Sequence, residues 1–178
     1  YERQRNVLDE THIQKLILLA RLISSIATEN IYYQNDLLPI VLTFPFFDLE
    51  RQAIWKLSIE AHAKRKPWLS IMLENSNVRL QNIAHWFLNT ATKFHTNSLD
   101  LLIDEIIGPA EETGAFSSPF RRYYFHKQHY KSDPRAYLQF LSSLNTFINA
   151  VRSYSTKKTT PRLSDLLDCV DVYQKNGL

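Results

Sequence analysis

Apolar residues recur at three- and four-residue intervals along most of this chain, and that spacing gives them a common face only if the chain is helical. Ile13, Leu16, Ile17, Ala20, Ile23 and Ile26 form one such stripe, and Leu80, Ile83, Ala84, Phe87, Leu88 and Ala91 form another. With three glycines in 178 residues and little Val or Thr alternation, there is no credible pair of strands. The expected fold class is all-α: a single compact helical domain of roughly eight helices spanning residues 1–178. A hydrophobic fraction of 44% in a chain of 178 residues fills one sizeable core but not two.

The punctuation places the helices. The first is expected from about Glu10 to Thr28 and a second from about Asn35 to Thr43, ending before Phe44-Pro45 because a residue preceding proline is pushed out of the α region. Asp48 is the expected N-cap of a third, about Leu49 to Arg65, with Ala53, Ile54, Leu57 and Ala61 inward. One or two turns over Trp68–Leu73 precede a helix from Asn77 to Phe94. Asn97 is expected to cap Leu99–Ile107, and Gly108-Pro109 to stop it. Ala110–Ser118 reads as a loop. Asp133-Pro134 supplies a cap and a first-turn proline for a long helix to about Tyr154, with Leu138, Leu141, Leu144, Ile148 and Val151 as its core face. A last helix runs from Pro161 to Lys175, with Asn176-Gly177 as its stop.

Several chemistries lose their material at this stage. The P-loop pattern, GxGxxG, HExxH and paired Cys-x-x-Cys are all absent. A lone cysteine, Cys169, excludes an internal disulfide and leaves a structural zinc without thiol partners, which suits a reducing, cytoplasmic setting. His126 and His129 share a helical spacing but no further ligands are at hand. Asp104-Glu105 and Glu111-Glu112 are neighbours that point apart on a helix, so they read as solvated surface. Ile13–Ile26 is broken by Gln14, Lys15, Arg21, Ser24 and Ser25, so it reads as amphipathic and no membrane span is expected. The opening Tyr1, Glu2, Arg3 and Arg5 lack the apolar core of a signal peptide and suggest an excised fragment.

Positive charge is the feature with functional content. Lys plus Arg number 21 against 18 acidic residues, so clustering matters more than the net +3. Lys64, Arg65 and Lys66 are consecutive. Arg121, Arg122, Lys127, Lys131 and Arg135 are interleaved with Phe120, Tyr123, Tyr124, Phe125 and Tyr130, against Asp133 alone. Such a mixture can track phosphates and stack bases, or the aromatics can be core ringed by cations. Arg152, Lys157, Lys158 and Arg162 surround a loop that holds no acid.

The order of Ile13–Ile23, Asn35–Pro45 and Leu49–Leu57, closed by Leu163–Leu178, resembles the 2B subdomain of UvrD/Rep/PcrA-like superfamily 1 DNA helicases. Asp36, Leu37 or Leu38, Val41, Leu42 and Pro45 resemble in order, though not in the spacing from the aspartate, that family's D-x-x-L-x-x-I-L-x-x-P segment. Where members often continue with Gly-Ile-Gly, this chain has Phe46-Phe47-Asp48. The resemblance implies a non-catalytic accessory domain of an ATP-dependent 3′-to-5′ helicase of DNA repair. It would contact duplex DNA or a duplex/single-strand junction and the motor domains, while ATP and magnesium belong to the motor and this chain has no cofactor of its own. The expected DNA contacts are Lys64, Arg65, Lys66, Arg121, Arg122, Lys127, Lys131, Lys157 and Lys158, with no catalytic residue and no metal ligand. The alternative is a protein-interaction module docking a partner through Phe46 and Phe47, or through Trp68 or Tyr124, with Phe46 and Phe47 equally open to a core role.

Overall fold

The computed structural model describes residues 6–108, 118–156 and 161–175, with the side chains of 129, 130, 155 and 173–175 excepted. Among them there are helices and no strands. Eight helices have seven or more residues: α1 (Thr11–Ala27), α2 (Ile31–Val41), α3 (Arg51–Lys64), α4 (Trp68–Glu74), α5 (Val78–Thr92), α6 (Leu99–Ile107), α9 (Pro134–Ser155) and α10 (Leu163–Lys175). The short α7 (Pro119–Tyr124) and α8 (Lys127–Ser132) lie between α6 and α9. The all-α expectation is met.

Helix α1 is the hub. All six residues of its expected stripe are buried, joined by Leu19, Leu22 and Ser25, so the helix is covered on more than one side. It packs against α2, α5, α6, α9 and α10. Its one buried hydroxyl is satisfied locally, Ser25 Oγ donating to the Leu22 carbonyl at 2.7 Å. Gln34 of α2 donates its amide to the Ser25 carbonyl at 3.0 Å, so the buried polar groups at this crossing are paired and cost little.

Scarce glycine has a structural consequence at the helix ends. The chain leaves α1 through Glu29 at φ 55° and α3 through Arg65 at φ 50°, both in the left-handed region that glycine enters without strain. Each closes a paired reverse hydrogen bond. Glu29 N–H donates to Ile26 O and Asn30 N–H to Ser25 O, while Arg65 N–H donates to His62 O and Lys66 N–H to Ala61 O. The one left-handed glycine among the described residues is Gly108 after α6, at φ 100°. There a Cβ would lie 2.8 Å from the Ser118 Cβ, so close approach as well as backbone conformation demands glycine.

Several expected boundaries move. Helix α2 starts at Ile31 and not at Asn35, because Asn30 caps it, its side chain accepting from Tyr33 N–H at 3.2 Å. Pro39 sits inside this helix. Asp48 does not cap α3: it is left-handed at φ 48°, its carboxylate accepts from Arg79, and Glu50 stands at the cap instead. Ser98, not Asn97, precedes α6. On α9 the buried face is Phe140, Leu144, Phe147 and Val151, and Leu138 is 62% exposed. Asn77 and Asp133 do cap α5 and α9, accepting from Arg79 N–H and Ala136 N–H. The stop at Asn176-Gly177 and the loop over 110–117 lie outside the described residues.

Candidate nucleic-acid interface

The first basic cluster closes α3, and its charge is largely spent at home. Lys64 donates to Glu60 one turn earlier at 2.6 Å, and Lys66 reaches both oxygens of Glu74 on α4 at 2.7 and 2.9 Å. The hydrogen bond to Glu60 raises the Lys64 ammonium above its ordinary value, and the one from Lys66 holds Glu74 below the ordinary carboxylate range. All of these groups are exposed to solvent, so such pairs are screened and labile. A phosphate here would compete with two carboxylates, and only Arg65 lacks an acidic partner among the described residues.

In the second cluster, adjacent arginines have opposite fates. Arg121 turns inward: its Nη1 donates to the Gly108 carbonyl at 3.2 Å and its guanidinium lies 4.8 Å from the Phe125 ring centre. It pins α7 to the end of α6 and is a structural residue. Arg122, Lys127, Lys131 and Arg135 are exposed and form no ion pair among the described residues. Lys127 and Lys131 are one turn apart on α8 and share a side of it. Asp133, the nearby acid, has a carboxylate oxygen committed to capping α9.

Among the interleaved aromatics, Phe120, Tyr124 and Phe125 are packed against the core and not laid out as a base-stacking platform, and the Tyr130 side chain lies outside the described residues. Phe120 is fully buried. Tyr124 stacks on Phe140 with ring centres 5.1 Å apart and planes 13° from parallel, and Phe125 meets Phe140 edge-on at 5.5 Å. Burial pushes the Tyr124 phenol up to about 12, with the neighbouring Tyr123 adding to the shift. Phe120, Tyr124 and Phe125 fasten α7 to the core and leave Arg122 outside.

Phe46 and Phe47 are corrected to core residues, 2% and 1% exposed. Phe46 meets Phe44, Phe47 and Phe120 at ring distances of 5.4, 4.8 and 5.8 Å, and Phe47 meets Phe87 at 5.5 Å. With Tyr124 held on Phe140 and Trp68 half-buried against the core, none of the four expected docking aromatics is free. The exposed Tyr, Trp and Phe side chains among the described residues are Tyr32, at 88%, Trp55, at 67%, and Tyr33, at 38%. Lys157 and Lys158 lie outside the described residues, and Arg152 and Arg162 beside them are exposed.

Two arrangements escaped the sequence. Arg79, an isolated arginine in the first turn of α5, lines a cavity of about 350 Å³ together with Arg122, Asn82, Phe47, Val78, Ile83 and Pro119. His12 Nε2 of α1 and Ser143 Oγ of α9 are 2.7 Å apart, in a cleft that also holds Glu10. The latter is the nearest approach to a nucleophile and base, but the Ser143 hydroxyl also lies 3.0 Å from the carbonyls of Gln139 and Phe140. Mid-helix backbone N–H groups are committed to α9 itself, so α9 offers the hydroxyl no backbone oxyanion donor. The pair is an interhelical tie. No group of three or more potential metal ligands occurs among the described residues, and none of their helices is long and apolar enough to cross a membrane.

Comparison with protein-family models, curated proteins and solved structures finds no match to this chain.

Proposed function

We propose that this chain is a non-catalytic helical module that binds duplex DNA through the exposed cations of α7, α8 and the start of α9, as a 2B-like accessory domain of a UvrD-like ATP-dependent helicase would. ATP and magnesium would then act in motor domains outside this chain. The observation that carries the reading is the state of Arg122, Lys127, Lys131 and Arg135. They are exposed, without carboxylate partners among the described residues, and mounted on α7, α8 and the first turn of α9, with α7 held to α9 by the packing of Tyr124 and Phe125 on Phe140. Cations that are not already neutralised contribute to polyanion binding by releasing counterions from the phosphates. Relative to the sequence-based set, Arg121, Lys64 and Lys66 recede and Arg135 is added.

The test is fluorescence anisotropy of a duplex with a 3′ single-stranded tail, titrated with the 178-residue chain across salt. Binding should fall steeply with salt. The double variant Lys127→Glu, Lys131→Glu should weaken it and lower the log–log salt slope by about one for each phosphate that is no longer neutralised. No binding at low salt would overturn the reading.

A second reading has one observation behind it. Trp55 and Ile59, one turn apart on α3, are 67% and 50% exposed, a side-by-side apolar pair that suits a protein partner.

A further inference from the structure

We propose that the cavity between the first turns of α5 and α7, walled by Arg79, Asn82 and Arg122, is a binding site for a phosphate group. It deepens the duplex-binding reading by naming where a backbone phosphate would sit, and it depends on that reading only for the source of the phosphate.

Arg79 is held in place before any ligand arrives. Its Nε donates to the Phe47 carbonyl at 3.1 Å and its Nη2 to Asp48 Oδ2 at 2.8 Å, while its Nη1 has no partner among the described residues. Phe47 is itself buried, so the carbonyl that fixes the guanidinium is fixed in turn. Arg122 lines the same cavity from α7, and its guanidinium makes no hydrogen bond or ion pair among the described residues. Asn82, one turn after Arg79 on the same side of α5, adds an amide donor. The remaining wall is Phe47, Val78, Ile83 and Pro119, whose apolar side chains offer the guanidinium groups no competing acceptor, while Arg79 and Arg122 stay open to solvent.

The arrangement selects phosphate over carboxylate. Arg122 presents a free planar fork and Arg79 its remaining Nη1 donor, and the two oxygens of one carboxylate saturate a single fork. A fork and a further guanidinium donor from another helix call for an anion with three or more acceptor oxygens. Among the described residues the acid paired with the site is Asp48, whose 80% exposed side chain holds Arg79 from the solvent side. Asp48 therefore acts as a competitor for Arg79, and removing its charge should favour an incoming phosphate. A purely structural Arg79–Asp48 pair predicts no such gain.

The experiment follows the arginine Nε–H signals of the ¹⁵N-labelled chain by NMR during titration with inorganic phosphate, with ionic strength held constant by chloride. Arg79 and Arg122 signals should move saturably. Arg122→Gln, an exposed change, should abolish the saturation. Asp48→Asn, which keeps a residue tolerant of the left-handed backbone at that position, should tighten it several-fold. In the duplex assay, Arg122→Gln should weaken binding and reduce the salt slope by about one. Duplex binding unchanged by Arg122→Gln, with no phosphate-induced shifts, would overturn the site and leave the duplex reading standing. Saturable phosphate binding without duplex binding would support the site, assign it to free or small-molecule phosphate, and overturn the duplex reading. No shift and no duplex binding would overturn both.

Discussion

His12 on α1 and Ser143 on α9 meet at 2.7 Å, joining two helices that are distant in sequence through one imidazole. Burial is the largest influence on that imidazole and lowers its pKa below 6.5, with Lys15 adding to the shift and Glu10 opposing it. In the fold, then, His12 is held neutral at a pH where the unfolded chain already takes up a proton.

The sign of the pH dependence follows from that difference. Between 6.5 and the lower folded value the unfolded chain binds more protons, so stability is complete above about pH 6.5 and declines as pH falls through this window. Urea midpoints measured at intervals from pH 8 to pH 5 should show that decline in the parent. The profile of His12→Gln should be flatter. Parallel profiles would remove His12 from the account.

Arg21 and Asp171 form an ion pair between α1 and α10, with the arginine side chain only 18% exposed. Asp171→Asn leaves the guanidinium poorly compensated where water is scarce. The expected loss is about 1–2 kcal/mol, read as a lower urea midpoint with an unchanged m-value. A loss below about 0.5 kcal/mol would class the pair with ordinary surface ion pairs.

Two glycine exchanges should have opposite signs. Gly108→Ala forces a Cβ to within 2.8 Å of Ser118 at φ 100° and should cost about 2 kcal/mol or more. Glu29→Gly relieves a left-handed residue of its Cβ penalty, about 1–2 kcal/mol, against a glycine entropy cost of about 0.5–1 kcal/mol. A modest gain in thermal midpoint is the expected result. A loss at Glu29 would show that its side chain stabilises the α1–α2 junction.

Phe46→Ala and Trp55→Ala should separate core from surface. Deleting the buried Phe46 ring should cost about 3–5 kcal/mol, whereas Trp55, 67% exposed, should change stability by less than about 0.5 kcal/mol. Comparable losses for both would mean that Trp55 is packed in solution.

What could be read from the sequence was what depended on neighbours a turn or two away. Asn77 and Asp133-Pro134 announced α5 and α9 because a cap and its acceptor lie within three residues. The pairing of Lys64 with Glu60 is equally local, whereas that of Lys66 with Glu74 crosses from α3 to α4 and required the fold. Asp48 looked like a cap until a distant Arg79 claimed its carboxylate. On α9 the stripe through Leu138 competed with one through Phe140 and Phe147, and the rings of Tyr124 and Phe125 cover Phe140 and leave Leu138 exposed. Arg121 and Arg122 were indistinguishable as letters. The position of Gly108 beside α7 separates them.

The central place of α1 also bears on how the molecule assembles. Its apolar surface is satisfied in part by α9 and α10, which ribosomes make long after it. Contacts of such sequence separation raise the contact order and slow the closing step of folding. During synthesis α1 can pair early with α2 and α5, while the side meant for α9 and α10 stays wet. A nascent chain stalled before α9 therefore presents a sticky helix, and this is the stage at which a chaperone would engage it.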